Sequence, residues 1–436
     1  MHRTCYLLAL LLTLSSCTNS NSSDPKWFKG NLHTHSLWSD GNDFPEMICD
    51  WYRDNGYNFL AISDHNILAE GDKWMKIAEL RKRGSITGLD LYLDKYKNTA
   101  QTRGNRADTS FEVRLTNYKD YKAMTERPGK FLVIQSEEIS DQFKIPPTTP
   151  KGKPTTLPIH MNATNIQEVI KPQGGKSVRD VIANNFKAII AQRDRLGLPI
   201  LPHINHPNFG YALTAEDLAS VTDEHFFEIY NGHPSIHQLG DAQHIPVERM
   251  WDIANTIRMT QLHAPPLMGL ATDDTHEYHV PVPSPARSTA GRGWVMVRAS
   301  ALTPESLISA IEHGDFYASS GVLLDDIHFD PATRTISIKI KSDGSATFMT
   351  QFIGTPKDIA PEGKLDLTSE KIGTIFSTIS GRTPTYTLTG NELYVRALIT
   401  SSKPPLNPSL KDQKKQAWTQ PVVLEKPQLA QGIPQN

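Results

Sequence analysis

Cysteine and net charge are both scarce in this chain. Its 436 residues include three cysteines, and 45 lysines and arginines against 47 aspartates and glutamates leave a formal net charge of −2. A balanced charge creates no global field that selects nucleic acid or lipid head groups, so we expect no nucleic-acid partner. After the N-terminal region, no apolar stretch is long enough to span a bilayer. The sequence also lacks a Gly-x-Ser-x-Gly elbow, so no serine nucleophile of that type is expected.

The N-terminus has the pattern of a targeting signal. Arg3 is followed by an apolar run from Tyr6 to Leu14, and Leu14-Ser15-Ser16-Cys17 ends it. That tetrapeptide resembles the lipobox of bacterial lipoproteins, although an ordinary secretory signal cut nearby is an alternative. We therefore expect residues 1–17 to be a signal peptide with a lipidated Cys17, and 18–26 a polar tether. The protein would be exported, periplasmic or at the cell surface, and would touch the membrane only through its lipid anchor, without a disulfide framework.

The rest of the chain divides into segments of different texture. Residues 27–322 alternate short apolar runs with helix-like stretches, which is typical of an α/β domain, whereas 323–425 predict a small β-sandwich-like domain and 426–436 an irregular tail. Residues 68–130 are a polar insertion rich in Lys and Arg. They form either a solvated excursion or a lid that supplies cations to an anionic substrate. Residues 144–158, dense in Pro, Thr and Lys, predict a loop near the site.

Seven apolar or extended runs end in residues that bind divalent metals. In a (β/α) barrel the carboxyl ends of the strands meet at one rim, so residues distant in sequence converge there. Imidazoles and carboxylates gathered on that rim would make a site for several metals with nitrogen and oxygen ligands. Any one of these residues alone is more simply explained as a surface or helix-capping residue. The metal-site prediction rests on the recurrence of the pattern at all seven runs. The runs close at His33-Thr34-His35, Asp64-His65, Glu137-Glu138, His160, His203 to His206, Glu228 to Asn231 and Asp273 to His276.

Two of these motifs occur together in a known order. The stretch from Gly30 to Ser36 and the later Ile62 to Asn66 resemble the PHP superfamily, named for polymerase and histidinol phosphatase domains. The resemblance covers roughly residues 29–323. It is closest to a secreted branch of carbamate-ester-hydrolase-like metallohydrolases, through Asn205 to Pro207, Glu228 to Gly232 and Asp274 to His276. It implies a distorted (β/α)7 barrel with two or three divalent metals per chain, for which zinc, manganese or iron are all suitable.

The resemblance also implies a ligand set. One metal would be held by His33, His35, Asp274 and a bridging Glu138; a second by Glu138, His160 and His206; and a third by Asp40, His65 and His276. Three choices stay open, because a neighbouring residue of the same chemistry competes in each. They are Glu137 against Glu138, His203 against His206, and Asp273 against Asp274.

Ions clustered in this way would supply a metal-bound hydroxide near neutral pH, so no protein nucleophile is needed. The general acid is a metal-bound water, Asp64 or one of the unassigned histidines, and the sequence does not choose among them. His233 and His279 are candidates for contact with substrate. A small anionic substrate, a phosphomonoester or phosphodiester, is the first hypothesis. A carbamate, ester or amide hydrolase is the alternative, followed by a non-catalytic binding lipoprotein.

Overall fold

The computed structural model describes residues 24–424 except 148, 150, 151, 223, 281–283 and 361–363. The expected signal peptide with Cys17, most of the tether and the tail 426–436 lie outside the described residues. No helix in the described part of the chain is both long and apolar enough to cross a membrane.

The described chain is a mixed α/β structure. Its helices are α1 (Pro45–Asp54), α2 (Ile77–Lys82), α3 (Ile86–Lys95), α4 (Tyr118–Thr125), α5 (Val178–Leu196), α6 (Ala215–Ala219), α7 (Val247–Thr260) and α8 (Pro304–Glu312), with a 3-10 turn at Lys357–Ile359. Its strands are β1 (Lys26–Asn31), β2 (Phe59–Ile62), β3 (Lys73–Lys76), β4 (Thr102–Arg103), β5 (Glu112–Leu115), β6 (Leu132–Ile145), β7 (Thr155–Thr164), β8 (Leu201–Ile204), β9 (Phe226–Asn231), β10 (Met268–Thr272), β11 (Trp294–Ala299), β12 (Phe316–Ser319), β13 (Leu324–Asp330), β14 (Thr335–Ile340), β15 (Phe348–Pro356), β16 (Thr374–Ser380), β17 (Thr385–Thr387), β18 (Glu392–Ser401) and β19 (Gln416–Thr419).

One large sheet organises the molecule. Thirteen strands join in the order β10-β9-β8-β7-β6-β2-β1-β11-β12-β19-β18-β15-β16. Within the section from β10 to β1, β1, β2 and β6 pair in parallel, as do β8, β9 and β10. The two ends of this section also meet, because the chain after β1 pairs with the chain after β10: the His35 amide donates to Thr275 O and the Asp274 amide to His33 O.

Strand β7 runs against both of its neighbours. The expected loop at 144–158 is therefore wrong at both of its ends, since Lys144 and Ile145 pair with Thr156 and Thr155 in a long β6–β7 hairpin. The polar composition of this segment is compatible with strands here because the outer part of the hairpin is solvated on both faces.

Apolar faces explain the packing of the helices on this sheet. Strand β2 is buried along its whole length, as expected for a parallel strand covered on both faces. Helix α5 starts at Ser177, whose side chain accepts from the Asp180 amide, and stops at Gly197, which takes a left-handed conformation with φ of 62°. It turns Val181, Ile182 and other apolar residues into the core next to β6 and β7.

After Ser319 the described elements are strands, apart from the 3-10 turn. A three-stranded sheet, β13-β14-β17, shares an apolar core with the far end of the large sheet, where Ile336, Phe352 and Ile399 pack together. The large sheet continues from β12 into β19 without a break, with Ala318 opposite Trp418. The chain after residue 322 is thus hydrogen-bonded to the α/β part along a strand.

Candidate metal centre

Residues from seven separated segments meet at one edge of the β10-to-β1 section. His33 and His35 follow β1 and His65 follows β2, while Asp274 and His276 follow β10. The sequence pattern predicted these side chains at the ends of strands, and the structure has them at those positions. His65, Asp274 and His276 line a cavity of about 230 Å³ together with Asp40, Glu138, His160, His206 and His233, whereas His33 and His35 are fully buried next to these lining residues.

His160 reaches this rim by a route that the sequence did not indicate. It was expected at the carboxyl end of a strand, but it lies inside β7, which runs antiparallel to its neighbours. The long hairpin brings it opposite Ser140 and places its Nδ1 atom 3.0 Å from Glu138 Oε1.

Glu138 is the centre of the cluster. Its Oε1 lies 3.3 Å from His206 Nε2 and 3.5 Å from His33 Nε2, and its Oε2 lies 2.8 Å from His65 Nδ1 and 3.4 Å from His35 Nε2. Burial alone would raise the pKa of Glu138, but the surrounding histidines, His65 first, hold it well below its usual range. The carboxylate is therefore ionised and offers its two oxygens to opposite sides of the cluster.

Asp274 completes the group nearest to β1. Its Oδ1 lies 3.1 Å from His35 Nε2 and 3.3 Å from His33 Nε2, while its Oδ2 accepts from Asn231 Nδ2. Donor atoms held about 2.1 Å from one tetrahedral ion lie roughly 3.4 Å apart, so these spacings fit ligands of a shared ion. Asp274 adopts φ of 49°, a left-handed conformation that Asp tolerates better than most residues and that recurs at functional sites.

A second group stands at the outer side of the cavity. Asp40 is half exposed; its two oxygens lie 3.4 Å from His65 Nε2 and 3.3 Å from His276 Nε2. The Nδ1 atom of His276 donates to the Asp274 carbonyl, which leaves Nε2 free to face Asp40. Ligand-type atoms of four residues, His35, Asp40, His65 and His276, lie within 4.8 Å of one another.

The three open choices separate clearly by position. Glu137 points away and accepts from the Ile170 amide, and Asp273 accepts from Tyr52 and from the amides of residues 291–293. His203 is buried 3.6 Å from Glu228, outside the groups of atoms spaced for a shared ion. Glu138, His206 and Asp274 are the members of the clusters.

Glu228 has a role that the sequence pattern did not reveal. Its Oε1 accepts from His33 Nδ1 at 2.7 Å and from Thr272, and its Oε2 accepts from the His206 amide and Asn231. Because an ionised carboxylate only accepts, Nδ1 of His33 carries a proton, and in the neutral ring the lone pair of Nε2 faces the cluster. The Glu-x-x-Asn spacing was a usable signal, since it puts Glu228 and Asn231 on the same buried strand end.

Two asparagine side chains hold the Glu138 carboxylate in position by hydrogen bonds. Asn205 Nδ2 donates to Glu138 Oε1 at 2.8 Å and to Asn162 Oδ1, and Asn162 in turn donates to the Leu32 carbonyl. These amides hold Glu138 against β1 and β8 without competing for the cluster. Asn162 was missed because nothing in its sequence surroundings marks it as more than a strand residue.

The donor set fits divalent cations. One atom that faces the cluster, His33 Nε2, is buried without a hydrogen-bond partner, which is costly unless another group binds there. Although burial opposes it, Glu138 and Asp40 raise the pKa of His65 to about 11, whereas burial and the neighbouring His276 lower that of His35 to about 4. Closely packed imidazoles and carboxylates with such opposed shifts are typical of a site that exchanges protons for metal ions.

Comparison with known proteins gives a limited result. No protein-family model and no curated protein matches the chain. Among solved structures it is similar to a two-domain protein from Bacteroides vulgatus that contains a predicted PHP-like metal-dependent phosphoesterase, at 12% identity and TM-score 0.39, covering 91% of this chain and 95% of that one. It is also similar to a candidate metal-dependent phosphoesterase from Bifidobacterium adolescentis, at 12% identity and TM-score 0.26, covering 59% of this chain and 91% of that one. At 12% identity and these TM-scores, the similarity does not assign an activity to this chain.

Asp64 does not fit its expected role as general acid. Both of its oxygens are occupied by donors from the loop after β1: the amides and hydroxyl groups of Ser36 and Ser39. It does not line the cavity. The correction follows from its position one residue before His65, which turns it toward the loop that carries Asp40.

His233 lines the cavity, as expected for contact with substrate, and its ring lies 5.2 Å from that of His276. The Ser235 amide donates to its Nδ1, so in the neutral ring the proton is on Nε2. His279 instead pairs with Asp43 at 2.8 Å, and the pair contacts Gly88 of α3.

The insertion does not supply cations to the cavity in the described structure. Arg83 donates to the backbone carbonyls of Ser39 and Gly41, Arg114 pairs with Asp72, and Arg103 pairs with Glu112. The expected cationic lid is therefore wrong for these arginines, because each is already engaged. The insertion forms α2, α3, α4 and the β3-β5-β4 sheet, which pack on α1.

Proposed function

We propose that this chain is a metal-dependent hydrolase of the PHP superfamily that cleaves phosphomonoesters or phosphodiesters. One observation carries the proposal: Glu138 lies between five histidine rings, with Asp274 and Asp40 completing two of the groups around it. A carboxylate at the meeting point of several imidazoles suits a bridged cluster of ions better than a structural site, which usually has four closed ligands.

The scaffold that we infer is a distorted (β/α)7 barrel. The support is the seven-strand section from β10 to β1, whose ends meet through Thr34 and Thr275. We further propose that residues 27–322 are one domain and that 323–425 form a β-sandwich-like domain built on the shared core around Phe352.

Each residue of the centre has an assigned task. His33, His35 and Asp274 would hold one ion, His160 and His206 a second, and Asp40, His65 and His276 a third, with Glu138 shared between the first two. Divalent ions such as Zn, Mn or Fe, two or three per chain, supply a water of lowered pKa and polarise the oxygen of the reacting group.

His233 is our candidate for a hydrogen-bond donor that stabilises charge developing on the leaving oxygen. Its Nδ1 accepts from the Ser235 amide, so its Nε2 is the atom that carries a proton. Burial lowers the pKa of His233, which keeps the ring neutral near pH 7 and makes its proton a hydrogen-bond donor.

The test compares substrate classes on purified protein loaded in turn with Mn²⁺, Zn²⁺ and Fe²⁺. We expect metal-dependent release of nitrophenol from p-nitrophenyl phosphate or bis(p-nitrophenyl) phosphate, and little from the acetate and carbamate esters. The H33A/H35A double variant should lose this activity, whereas H313A/H328A, which removes two exposed histidines, should keep it. Turnover retained by H33A/H35A would refute the assignment.

A carbamate, ester or amide hydrolase is the second candidate. The observation that favours it is the lining of the cavity, where no described residue is Lys or Arg. A neutral carbonyl substrate needs no such counter-charge, while a phosphate would depend on the ions alone. Faster cleavage of the acetate or carbamate in the same panel would select this reaction. Full metal loading without any turnover would favour a binding protein.

We also propose that the protein is exported and anchored as a lipoprotein through Cys17, with a small anionic substrate as its partner. Labelling cells with a radioactive or clickable fatty acid should mark the wild-type protein. The Cys17→Ala variant should be unlabelled and released from the membrane fraction.

A further inference from the structure

Two apolar side chains form one side of the metal cavity. Phe209 and Ile236 line it together with the histidines and carboxylates. The Phe209 ring lies 5.1 Å from the ring of His206 at 72°, and 6.0 Å from that of His160. We call Phe209 and Ile236 the apolar wall; it stands directly beside the imidazoles assigned to the second ion.

The apolar wall is held in place by the backbone. The Phe209 amide donates to the His206 carbonyl, the Ile236 amide donates to the His233 carbonyl, and the two residues pair as an antiparallel bridge. Asn208 adds two hydrogen bonds from its side chain to the carbonyls of His237 and Ile245. Both wall residues are therefore fixed relative to the residues of the centre, which a side chain on a free loop would not be.

The described lining contains no Lys or Arg side chain that could bind a second anionic group away from the ions. Apart from the apolar wall, the described lining consists of histidines and carboxylates, and the nearby Arg83 is engaged by backbone carbonyls. A substrate with further phosphates would place negative charge against Asp40, Asp274 or an apolar surface. Each of these positions is unfavourable.

We propose that the substrate bears a single phosphoryl-type group and that its other end is apolar and packs against Phe209 and Ile236. This inference rests on the proposed function and narrows it to monophosphate esters of apolar, preferably flat, alcohols. Phe209 then determines specificity, since an aromatic face beside the reacting centre favours a flat apolar group over a small alkyl group.

The experiment measures binding, not turnover. Metal-loaded protein is titrated calorimetrically with phenylphosphonate and with methylphosphonate, which are not hydrolysed and differ only in the apolar group. Wild type should bind phenylphosphonate about tenfold more tightly or better, as expected for extra apolar contact in a pocket. Phe209→Ala and, separately, Ile236→Ala should reduce this preference, because each weakens the binding of phenylphosphonate more than that of methylphosphonate; the metal content of each variant is measured in parallel.

Tyr211→Ala is the matched control. Tyr211 lies in the same loop, but its ring stacks on His244 at 3.6 Å and does not line the metal cavity. The preference for the phenyl compound should survive this change. Equal affinity of wild type for both phosphonates, no binding of either, or a preference that persists in both wall variants would overturn the proposal.

The result is separable from the proposed function. Selective phosphonate binding without hydrolysis of any phosphate ester would support the role of the apolar wall and refute the phosphoesterase assignment. Hydrolysis of phenyl and methyl phosphate esters at equal kcat/KM, with no selectivity in binding, would refute the role of the apolar wall and leave the phosphoesterase assignment standing.

Discussion

At the scale of single residues, Glu228 shows how a group that touches no ion can decide whether the centre works. Its carboxylate fixes the tautomer of His33 and also holds the His206 backbone and Asn231. Burial opposes its ionisation, yet His33 and His203 keep the pKa of Glu228 below its ordinary value. It therefore carries the negative charge that makes His33 a stronger ligand.

Glu228→Gln should weaken metal binding about 10–100-fold without removing any ligand, because an amide stabilises the correct tautomer of His33 less well. Competition with a coloured chelator measures the change. Glu305→Gln, which removes an exposed carboxylate on α8, is the control and should bind metal like wild type. Unchanged affinity in Glu228→Gln would show that the hydrogen bond to His33 does not matter for the centre.

Glu46 gives a pH-dependent prediction away from the metal centre. It is fully buried, accepts from Tyr92 and Thr116, and has one oxygen without a partner. Burial raises its pKa from 4.5 to about 7. A raised carboxyl pKa means that the folded state holds the proton more tightly than the unfolded state, so stability is lost as pH rises from about 4.5 to 7.

Relative to Glu46→Gln, which does not titrate, wild type should be about 2 kcal/mol less stable at pH 8 than at pH 5. Urea unfolding of both proteins at the two pH values measures this difference, and effects of other groups cancel between them. Glu305→Gln, the exposed change, should show no such pH dependence. A stability difference that is the same at both pH values would mean that Glu46 stays ionised or stays protonated throughout.

The residues of the cluster were largely predictable from the sequence because His-x-His and Asp-x-His motifs, weak when taken singly, recur together with other metal-binding residue types at the ends of several strands. The choice between neighbours was not predictable. Glu137 and Glu138 point to opposite faces of β6, and only the register of that strand against β2 and β7 shows which one faces the cavity. Phe209 and Ile236 were missed because single apolar residues after a motif look like ordinary core.

At the scale of elements, the alternation of strands and helices was predictable, but the direction of β7 was not. An antiparallel strand inside a mostly parallel section has the same local pattern as a parallel one, since both are apolar and extended. The insertion at 68–130 was also only partly predictable. Its length and charge were evident from the sequence. The partners of its arginines were not, because they depend on packing against the 36–44 loop and on pairing within the insertion.

A buried ion pair joins α7 to β18. Arg396 donates to both carboxylate oxygens of Asp252, at 2.7 and 3.0 Å, and both residues are almost fully buried. Arg396 also lies over the Trp251 ring. Arg396→Met should lower the free energy of unfolding by about 3 kcal/mol or more, because it leaves Asp252 buried without a counter-charge.

Arg195→Met is the control for that change. Arg195 pairs with Glu168 at the surface, where both side chains are more than half exposed, so its loss should cost less than about 1 kcal/mol. Denaturant unfolding monitored by tryptophan fluorescence compares the two variants with wild type. Equal effects of the two substitutions would show that the Arg396–Asp252 pair adds nothing to the packing of α7 against β18.

At the scale of the whole molecule, the centre gathers its residues from strands that lie far apart in the chain, so we expect metal binding to be coupled to folding. His33 and His276 are separated by most of the α/β part, yet both belong to the cluster and meet where the chain after β1 pairs with the chain after β10. Such closure is not readable from local sequence, because it depends on the strand order of the entire sheet.

Removing divalent ions with a chelator should therefore lower the stability of the whole protein as well as its activity. An ion present at a thousand times its Kd adds about 4 kcal/mol to the free energy of unfolding, and several ions add more. Thermal unfolding before and after chelation should show a lower Tm that recovers when Mn²⁺ or Zn²⁺ is returned. In H33A/H35A the returned metal should restore less of the Tm, since fewer ligands connect the chain after β1 to Asp274 and Glu138. A wild-type Tm that does not respond to chelation would mean that the cluster is formed by the fold alone and that metals, if bound, contribute nothing to holding the strands together.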